Sequence, residues 1–389
     1  MARHYLDHAS TTPLRPEARA AMAAWDELGV TADPGRVHTE GRMVRAALED
    51  ARDQVASLFG VRPRQVVLTS GGSEAVNAAV WGVVASSTSD RPSSAPAPVA
   101  CAAVEHSAVR DASAHHGTVV PVAVDRVGRI HPDAVADAVA RSVADHGRGP
   151  VLAHCQAANH EVGTVQDVAA VVDRCHGLGV PVHVDAVATA GHLPVDVAGW
   201  GADLVSVSSH KLGGPAGVGA LILRPGLRID PLLVGGEQER GRRAGLEHVI
   251  GAIGFGAVAA TLADPGRLDD ESAAARRHTD RLLAVALDVD GVTPYGDVYR
   301  RLPHIVCVGV DGVEAEPVLL GLDQAGVAVH SGSSCSSESL EPSPVLEAMG
   351  VDGERSLRLS VGWSTTDGDV AAFAGAFGGV VGRLRDLAR

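Results

Sequence analysis

Lys211 closes an apolar run, Leu204-Val205-Ser206-Val207-Ser208-Ser209-His210-Lys211, and the chain then turns through Leu212-Gly213-Gly214-Pro215-Ala216-Gly217. An amine at the carboxyl end of a strand, beside a hydroxyl (Ser208) and an imidazole (His210), is placed for Schiff-base chemistry. Desolvation and neighbouring donors lower its pKa, and the same donors suit a phosphate. A surface lysine opening a loop fits this segment alone equally well. Three other apolar runs, residues 99–104, 151–155 and 180–185, lead into His106, Asn159 and Asp185. An aspartate reached through an apolar strand stays ionised only with a cationic partner. Val66-Val67-Leu68 leads into Thr69-Ser70-Gly71-Gly72-Ser73-Glu74 and an alanine-rich helix, whose first N–H groups can receive an anion. Cys335 lies in the polar stretch His330-Ser331-Gly332-Ser333-Ser334-Cys335-Ser336-Ser337-Glu338, where an exposed, mobile thiol is expected.

Side chains just beyond the ends of neighbouring parallel strands meet in one crevice. Asp185 would face a protonated pyridine nitrogen and His106 would stack on a flat ring. Ser73, Ser208 and His210 would hold a phosphate, and Lys211 would take an aldehyde. Together these are the needs of pyridoxal phosphate, an electron sink for amino-acid chemistry. A lone buried histidine or aspartate is more often structural; the joint placement at strand ends carries the argument.

The elements that position these groups are legible as alternating apolar strands and longer helical stretches between about residues 66 and 223, an α/β pattern. Residues 86–98 read as a Ser/Pro-rich surface loop. Asp264-Pro265-Gly266 breaks a helix, a charged helix follows, and His304-Ile305-Val306-Cys307-Val308-Gly309-Val310 restarts a strand, marking a second domain. The 389 residues, 46% hydrophobic and 21% charged, are enough for a large core, and with aromatics at 3% that core is built from small aliphatic side chains. A formal charge of -14 opposes non-specific binding to nucleic acid, so no direct nucleic-acid partner is expected. No apolar run reaches membrane-spanning length and the first residues lack a signal-peptide core, which points to a cytoplasmic protein with no membrane partner. The five cysteines form no CxxC pair, so a disulfide framework is not expected; Cys101, Cys155 and Cys307 read as small buried hydrophobes. His115-His116, His154-Cys155 and Cys175-His176 do not suggest a metal site, because adjacent residues on a strand rarely point to one ion.

Several segments, taken in order, resemble the cysteine desulfurases of the class V aminotransferase fold. They are Tyr5-Leu6-Asp7-His8-Ala9-Ser10-Thr11-Thr12-Pro13, Glu105-His106, Asn159-His160-Glu161-Val162-Gly163, His183-Val184-Asp185-Ala186, Ser208-Ser209-His210-Lys211 and Ser331-Gly332-Ser333-Ser334-Cys335. Gly235-Gly236-Glu237-Gln238-Glu239-Arg240-Gly241-Arg242-Arg243, Leu340-Glu341-Pro342-Ser343 and Leu357-Arg358-Leu359-Ser360-Val361-Gly362 extend the likeness nearly end to end. The cysteine placement resembles the branch with a short, open cysteine loop. The resemblance implies the pyridoxal-phosphate-dependent transferase fold type I. A large domain (13–263) would hold a mostly parallel seven-stranded sheet, and a smaller α+β domain (1–12 with 264–389) would carry the cysteine loop (328–340). It implies a homodimer in which residues 235–243 reach the neighbouring site.

For the site, the resemblance implies that Lys211 joins the cofactor aldehyde and later acts as base. Asp185 pairs with the pyridine nitrogen and His106 stacks on the ring. Gly72, Ser73, Ser208 and His210 hold the phosphate, and Asn159 and Arg358 grip the substrate carboxylate. Cys335 carries the sulfur of L-cysteine away as a persulfide to an acceptor protein, leaving alanine. Ala188 stands where the family usually has a glutamine facing the ring oxygen, and Leu246 where a threonine usually reaches the neighbouring subunit's phosphate. Ala32-Asp33-Pro34-Gly35-Arg36-Val37-His38 replaces the family's usual Asn-Pro-Ser-Ser start of a substrate-site loop. Two alternatives stand beside the desulfurase: a lyase acting on selenocysteine or another cysteine derivative, and a scaffold that has lost catalysis.

Overall fold

The computed structural model describes residues 3–89, 96–331 and 343–387. Its strands are β1 (His4–Tyr5), β2 (Val66–Thr69), β3 (Pro98–Ala102), β4 (Thr118–Val122), β5 (Leu152–Gln156), β6 (Val182–Asp185), β7 (Leu204–Ser208), β8 (Gly219–Leu223), β9 (Val292–Tyr295), β10 (Ile305–Val310), β11 (Val327–Ala328) and β12 (Ser356–Ser360). Seven of them form one sheet in the order β2-β8-β7-β6-β5-β3-β4. Strands β3 to β7 pair in parallel, and β8 runs antiparallel to both its neighbours, so the sheet is the mostly parallel seven-stranded one expected.

Every residue of β5, β6, β7 and β8 is buried, as a parallel sheet covered on both faces requires. Alternation sorts the side chains. Ala153, Cys155, Val182, Val184, Val205 and Val207 join the core under the helices Pro132–His146, Val168–Gly177 and Val249–Ala263. Leu152 and Leu204 face the helices Gly72–Ser89 and Ser107–His116 instead. His154, Gln156, His183, Asp185, Ser206 and Ser208 alternate onto that second face, so the polar groups of three central strands line up under two helix starts.

A separate core gathers Leu6, Leu282, Val306, Val308, Leu357, Leu359, Phe373 and Phe377. It lies on the antiparallel sheet β12-β10-β9, flanked by the helices Arg267–Leu287 and Asp367–Leu387. Strand β1 pairs with β11, which ties the N-terminal segment to this second core. The break at Asp264-Pro265-Gly266 is present: Gly266 takes φ of 82° and opens the next helix.

Two sequence expectations need correction. Residues 86–89 continue the helix Gly72–Ser89 and Pro98 already opens β3, so the loop is shorter than 86–98. Strand β4 was not anticipated, because Pro121 interrupts its run. It pairs only with β3 at the sheet's edge, where a missing N–H is tolerated. Among the described residues no single helix is long and apolar enough to cross a membrane.

Candidate active site

The carboxyl ends of the central strands open into a cavity of about 290 Å³. Gly72, Ser73, His106, Asp185, Ser208, His210, Lys211 and Arg358 all line it. Strand β7 ends at Ser208 and the chain tightens into one turn, Ser209–Lys211, which brings Lys211 to the rim. There the Lys211 Nζ donates to the carbonyl oxygens of Ala9 at 2.5 Å and Ser10 at 2.9 Å. The N-terminal segment therefore fixes the amine's approach.

Asp185 ends β6 and is 9% exposed; its Oδ1 accepts the Val187 N–H at 2.9 Å. Glu105 lies wholly buried nearby, with Oε1 accepting the Gln156 N–H at 2.8 Å. Burial, with the charge of Asp185 added, pushes the Glu105 carboxyl up to about 8, which keeps it protonated at neutral pH. His106 caps the helix Ser107–His116: its Nδ1 accepts the Ala108 N–H at 3.1 Å, which fixes the plane of the ring. The His160 ring meets it edge to face at 4.9 Å. His210, near Thr11 Oγ1 at 3.2 Å, is held down to about 4 by burial and by Lys211.

The donor set fits a phosphate. Ser208 Oγ is buried with no hydrogen-bond partner among the described residues, and Ser73 stands in the first turn of an 18-residue helix. Gly72 brings that helix start close to the wall: a Cβ there would sit 2.9 Å from Val187 Cγ2 and 3.4 Å from Ser208 Cβ. Val187 and Ala188 add apolar lining and Asp185 a carboxylate to the same cavity, a combination that fits an apolar ring carrying a positive charge.

Arg358, 1% exposed on β12, reaches in from the second core. Its guanidinium donates to the His160 carbonyl at 3.0 Å, to Asp7 Oδ1 at 3.0 Å and to Ser10 Oγ at 2.8 Å. Asn159 is not on the cavity wall. Its Nδ2 donates to the Val104 carbonyl at 3.0 Å and its Oδ1 accepts the N–H groups of Glu161 and Val162 at 2.9 and 2.8 Å. The amide holds the turn that carries His160, which does line the cavity. Gln156 and His160 line the cavity without having been singled out; the only sequence signal for His160 was its place beside Asn159.

Cys335 and residues 332–342 lie outside the described residues. Cys101, Cys155, Cys175 and Cys307 are buried free thiols, and burial raises the pKa of each, so none of them is a ready thiolate. Among the described residues no group of three or more His, Cys, Asp or Glu side chains could hold a metal ion.

Residues 4–373 match the family model "Aminotransferase class-V". "IscS-like cysteine desulfurase" of Mycobacterium tuberculosis is 37% identical, over 99% of this chain and 98% of that protein. "Cysteine desulfurase IscS" of Dictyoglomus turgidum is 36% identical, over 98% of this chain and 95% of that protein. The solved NifS-like protein of Rickettsia africae superposes with a TM-score of 0.84, covering 97% of this chain and 99% of that one; at 24% identity it speaks to the fold alone. A cavity that fits pyridoxal phosphate, a sheet of the matching topology and a sequence match across nearly the whole length agree: the chain belongs to the class V aminotransferase family, whose members depend on that cofactor.

Proposed function

We propose that this protein is a pyridoxal-phosphate-dependent cysteine desulfurase, which moves the sulfur of L-cysteine onto Cys335 as a persulfide, hands it to an acceptor protein and releases L-alanine. The observation that carries this reading is one cavity joining an amine, a carboxylate, a capped imidazole and a buried unpartnered hydroxyl, in a chain whose relatives bear that name.

When bound, the cofactor supplies an electron sink for the substrate's Cα. The residues of this chain do the rest. Lys211 offers its amine to the aldehyde and afterwards moves a proton at Cα. Asp185 presents its carboxylate to the ring nitrogen, His106 covers the ring face, and Ser73, Ser208, His210 and the helix start at Gly72 take the phosphate. Arg358, oriented by Asp7 and Ser10, meets the substrate carboxylate with its planar fork. The Cys335 thiolate forms an S–S bond with the substrate sulfur as the substrate's Cβ–S bond breaks; the electron pair stays on carbon, which takes a proton to become alanine's methyl group.

A homodimer belongs to this reading, supported by Val234 at 78% and Leu246 at 66% exposure on either side of residues 235–243. A cytoplasmic location is supported by the free thiols of the four described cysteines. A division into 13–263 and 1–12 with 264–389 is supported by the two separate cores, Leu6 packing in the second.

The test is alanine release from L-cysteine, with mass spectrometry of the Cys335 peptide for one added sulfur. Cys335→Ser should keep the visible cofactor band and lose both products. Lys211→Ala should lose the borohydride-reducible linkage to the cofactor. Turnover by Cys335→Ser equal to the parent's would sink the desulfurase reading in favour of a lyase.

A further inference from the structure

Below the cavity, on the sheet face that carries Asp185 and Ser208, four polar side chains stand in a row: Ser206 of β7, His183 of β6, His154 of β5 and Ser113 of the helix Ser107–His116. None is more than 1% exposed. Ser206 Oγ lies 2.7 Å from His183 Nε2, the two histidines face each other Nδ1 to Nδ1 at 2.9 Å, and His154 Nε2 lies 3.1 Å from Ser113 Oγ. Ser113 donates its hydroxyl hydrogen to the Val109 carbonyl at 2.6 Å.

These contacts leave one direction for the protons. Because the Ser113 hydrogen goes to Val109, Ser113 Oγ must accept from His154, which therefore carries its proton on Nε2. The bare Nδ1 of His154 then accepts from His183 Nδ1–H, and the bare Nε2 of His183 accepts from the Ser206 hydroxyl. An imidazolium at His154 would set N–H against N–H across the 2.9 Å contact, and one at His183 would set Nε2–H against the Ser206 hydroxyl hydrogen. Burial supports the neutral forms, holding His183 down to about 4 and His154 well below its usual value.

The direction matters for Asp185, whose charge bears on His183. Ser206 is Asp185's partner in the β6–β7 register, and His183 lies two residues before it on the same face. Neither hydrogen is spent on Asp185: that of Ser206 goes to His183 and that of His183 to His154. We propose that His154 is a positioning residue for the cofactor site: by accepting the His183 Nδ1–H it directs the Ser206 hydroxyl to His183, and so reserves the Asp185 carboxylate for a cationic ring in the cavity. The proposal rests on the cofactor reading above. Without His154, His183 moves its proton to Nε2, Ser206 becomes the acceptor, and its hydroxyl hydrogen turns to Asp185.

The test uses the cofactor-loaded protein. Nitrogen NMR of histidine-labelled parent protein should show His183 protonated on Nδ1 and His154 on Nε2, a measurement that needs no variant. His154→Gln should preserve the His183 tautomer, since an amide oxygen can accept from His183 while its NH₂ donates to Ser113; His154→Leu should switch it. Cofactor binding should be roughly tenfold weaker in His154→Leu, within about twofold of the parent in His154→Gln, and the loss should vanish in a Ser206→Ala background, where no hydroxyl remains to turn. A parent His183 protonated on Nε2, or a loss undiminished without Ser206, would overturn the proposal. Absence of bound pyridoxal phosphate would instead overturn the functional reading and leave the tautomer result to stand on its own.

Discussion

Ala188 lines the cavity with a single methyl, at the position where the family resemblance implies a glutamine facing the ring oxygen. Ala188→Gln should therefore tighten pyridoxal phosphate by the net value of one hydrogen bond, about 0.5–1.5 kcal/mol or roughly two- to tenfold, and lower the pH at which the visible band titrates, because a donor favours an ionised oxygen. Equilibrium dialysis and an absorbance titration check both; identical values in the two proteins would mean that another group already meets that oxygen. At this scale the sequence exposed the groups whose chemistry is unusual for their setting. Lys211, Asp185 and His106 stood out because charge or imidazole at a strand end conflicts with the apolar run before it. Asn159 stood out in the same way, and its amide oxygen also holds the turn that follows it, a local role that a strand-end position does not announce. Gln156, the last residue of β5, faces the cavity because side-chain alternation along the strand puts it there.

Elements were legible where their burial was uniform and illegible where long-range pairing overrode local chemistry. Strands β6, β7 and β8 read directly as apolar runs, whereas β4 depends on β3 for its existence. The segment carrying Glu239 and Arg240 is a sharper case: these residues adopt φ of 49° and 61°, a conformation their side chains disfavour. What enforces it is the helix Thr39–Leu58, whose Arg52 forks onto Glu239 with contacts of 2.6 and 2.7 Å, while the Leu68 N–H of β2 donates to the same carboxylate at 3.0 Å. Nothing local in Gln238-Glu239-Arg240 announces a partner 187 residues away. Arg52→Met would leave that carboxylate buried without its cation, at a cost of about 3–5 kcal/mol. The double variant Arg52→Met/Glu239→Gln should recover part of the loss, because the amide oxygen still accepts from Leu68. Thermal unfolding of the three proteins checks it, and equal destabilisation in the single and double variants would show that packing, not charge, holds the segment.

For the whole molecule, opposing sets of buried groups set the response to pH. Burial holds His8, His183 and His210 down to about 4, His192 to about 3, and His154 and His304 well below the usual value. These six take protons in the unfolded chain below about pH 6.5 while the folded protein does not, so stability falls as pH drops from there towards 4. A fully buried imidazole held to about 4, as His183 is, weighs on the order of 3 kcal/mol at the acid end. Glu105 and Glu247 work the other way: burial raises both, Glu105 to about 8, so the stability they lend is complete below the unfolded carboxyl value near 4.5 and is lost as pH rises. Between pH 4.5 and 6.5 the six imidazoles outweigh the two carboxyls; above 6.5 only the carboxyl loss continues. The unfolding midpoint should therefore peak near neutrality, drop steeply on the acid side and decline gently towards pH 8. Glu105→Gln removes the titrating carboxyl and keeps an oxygen for the Gln156 N–H, so it should flatten the alkaline limb and slightly steepen the acid limb between pH 4.5 and 6.5, where Glu105 had opposed the histidines. Calorimetric midpoints from pH 4 to 8.5 decide the matter: stability that rises towards pH 5 would contradict the neutral histidines, and an alkaline decline that survives in Glu105→Gln would assign it to other groups.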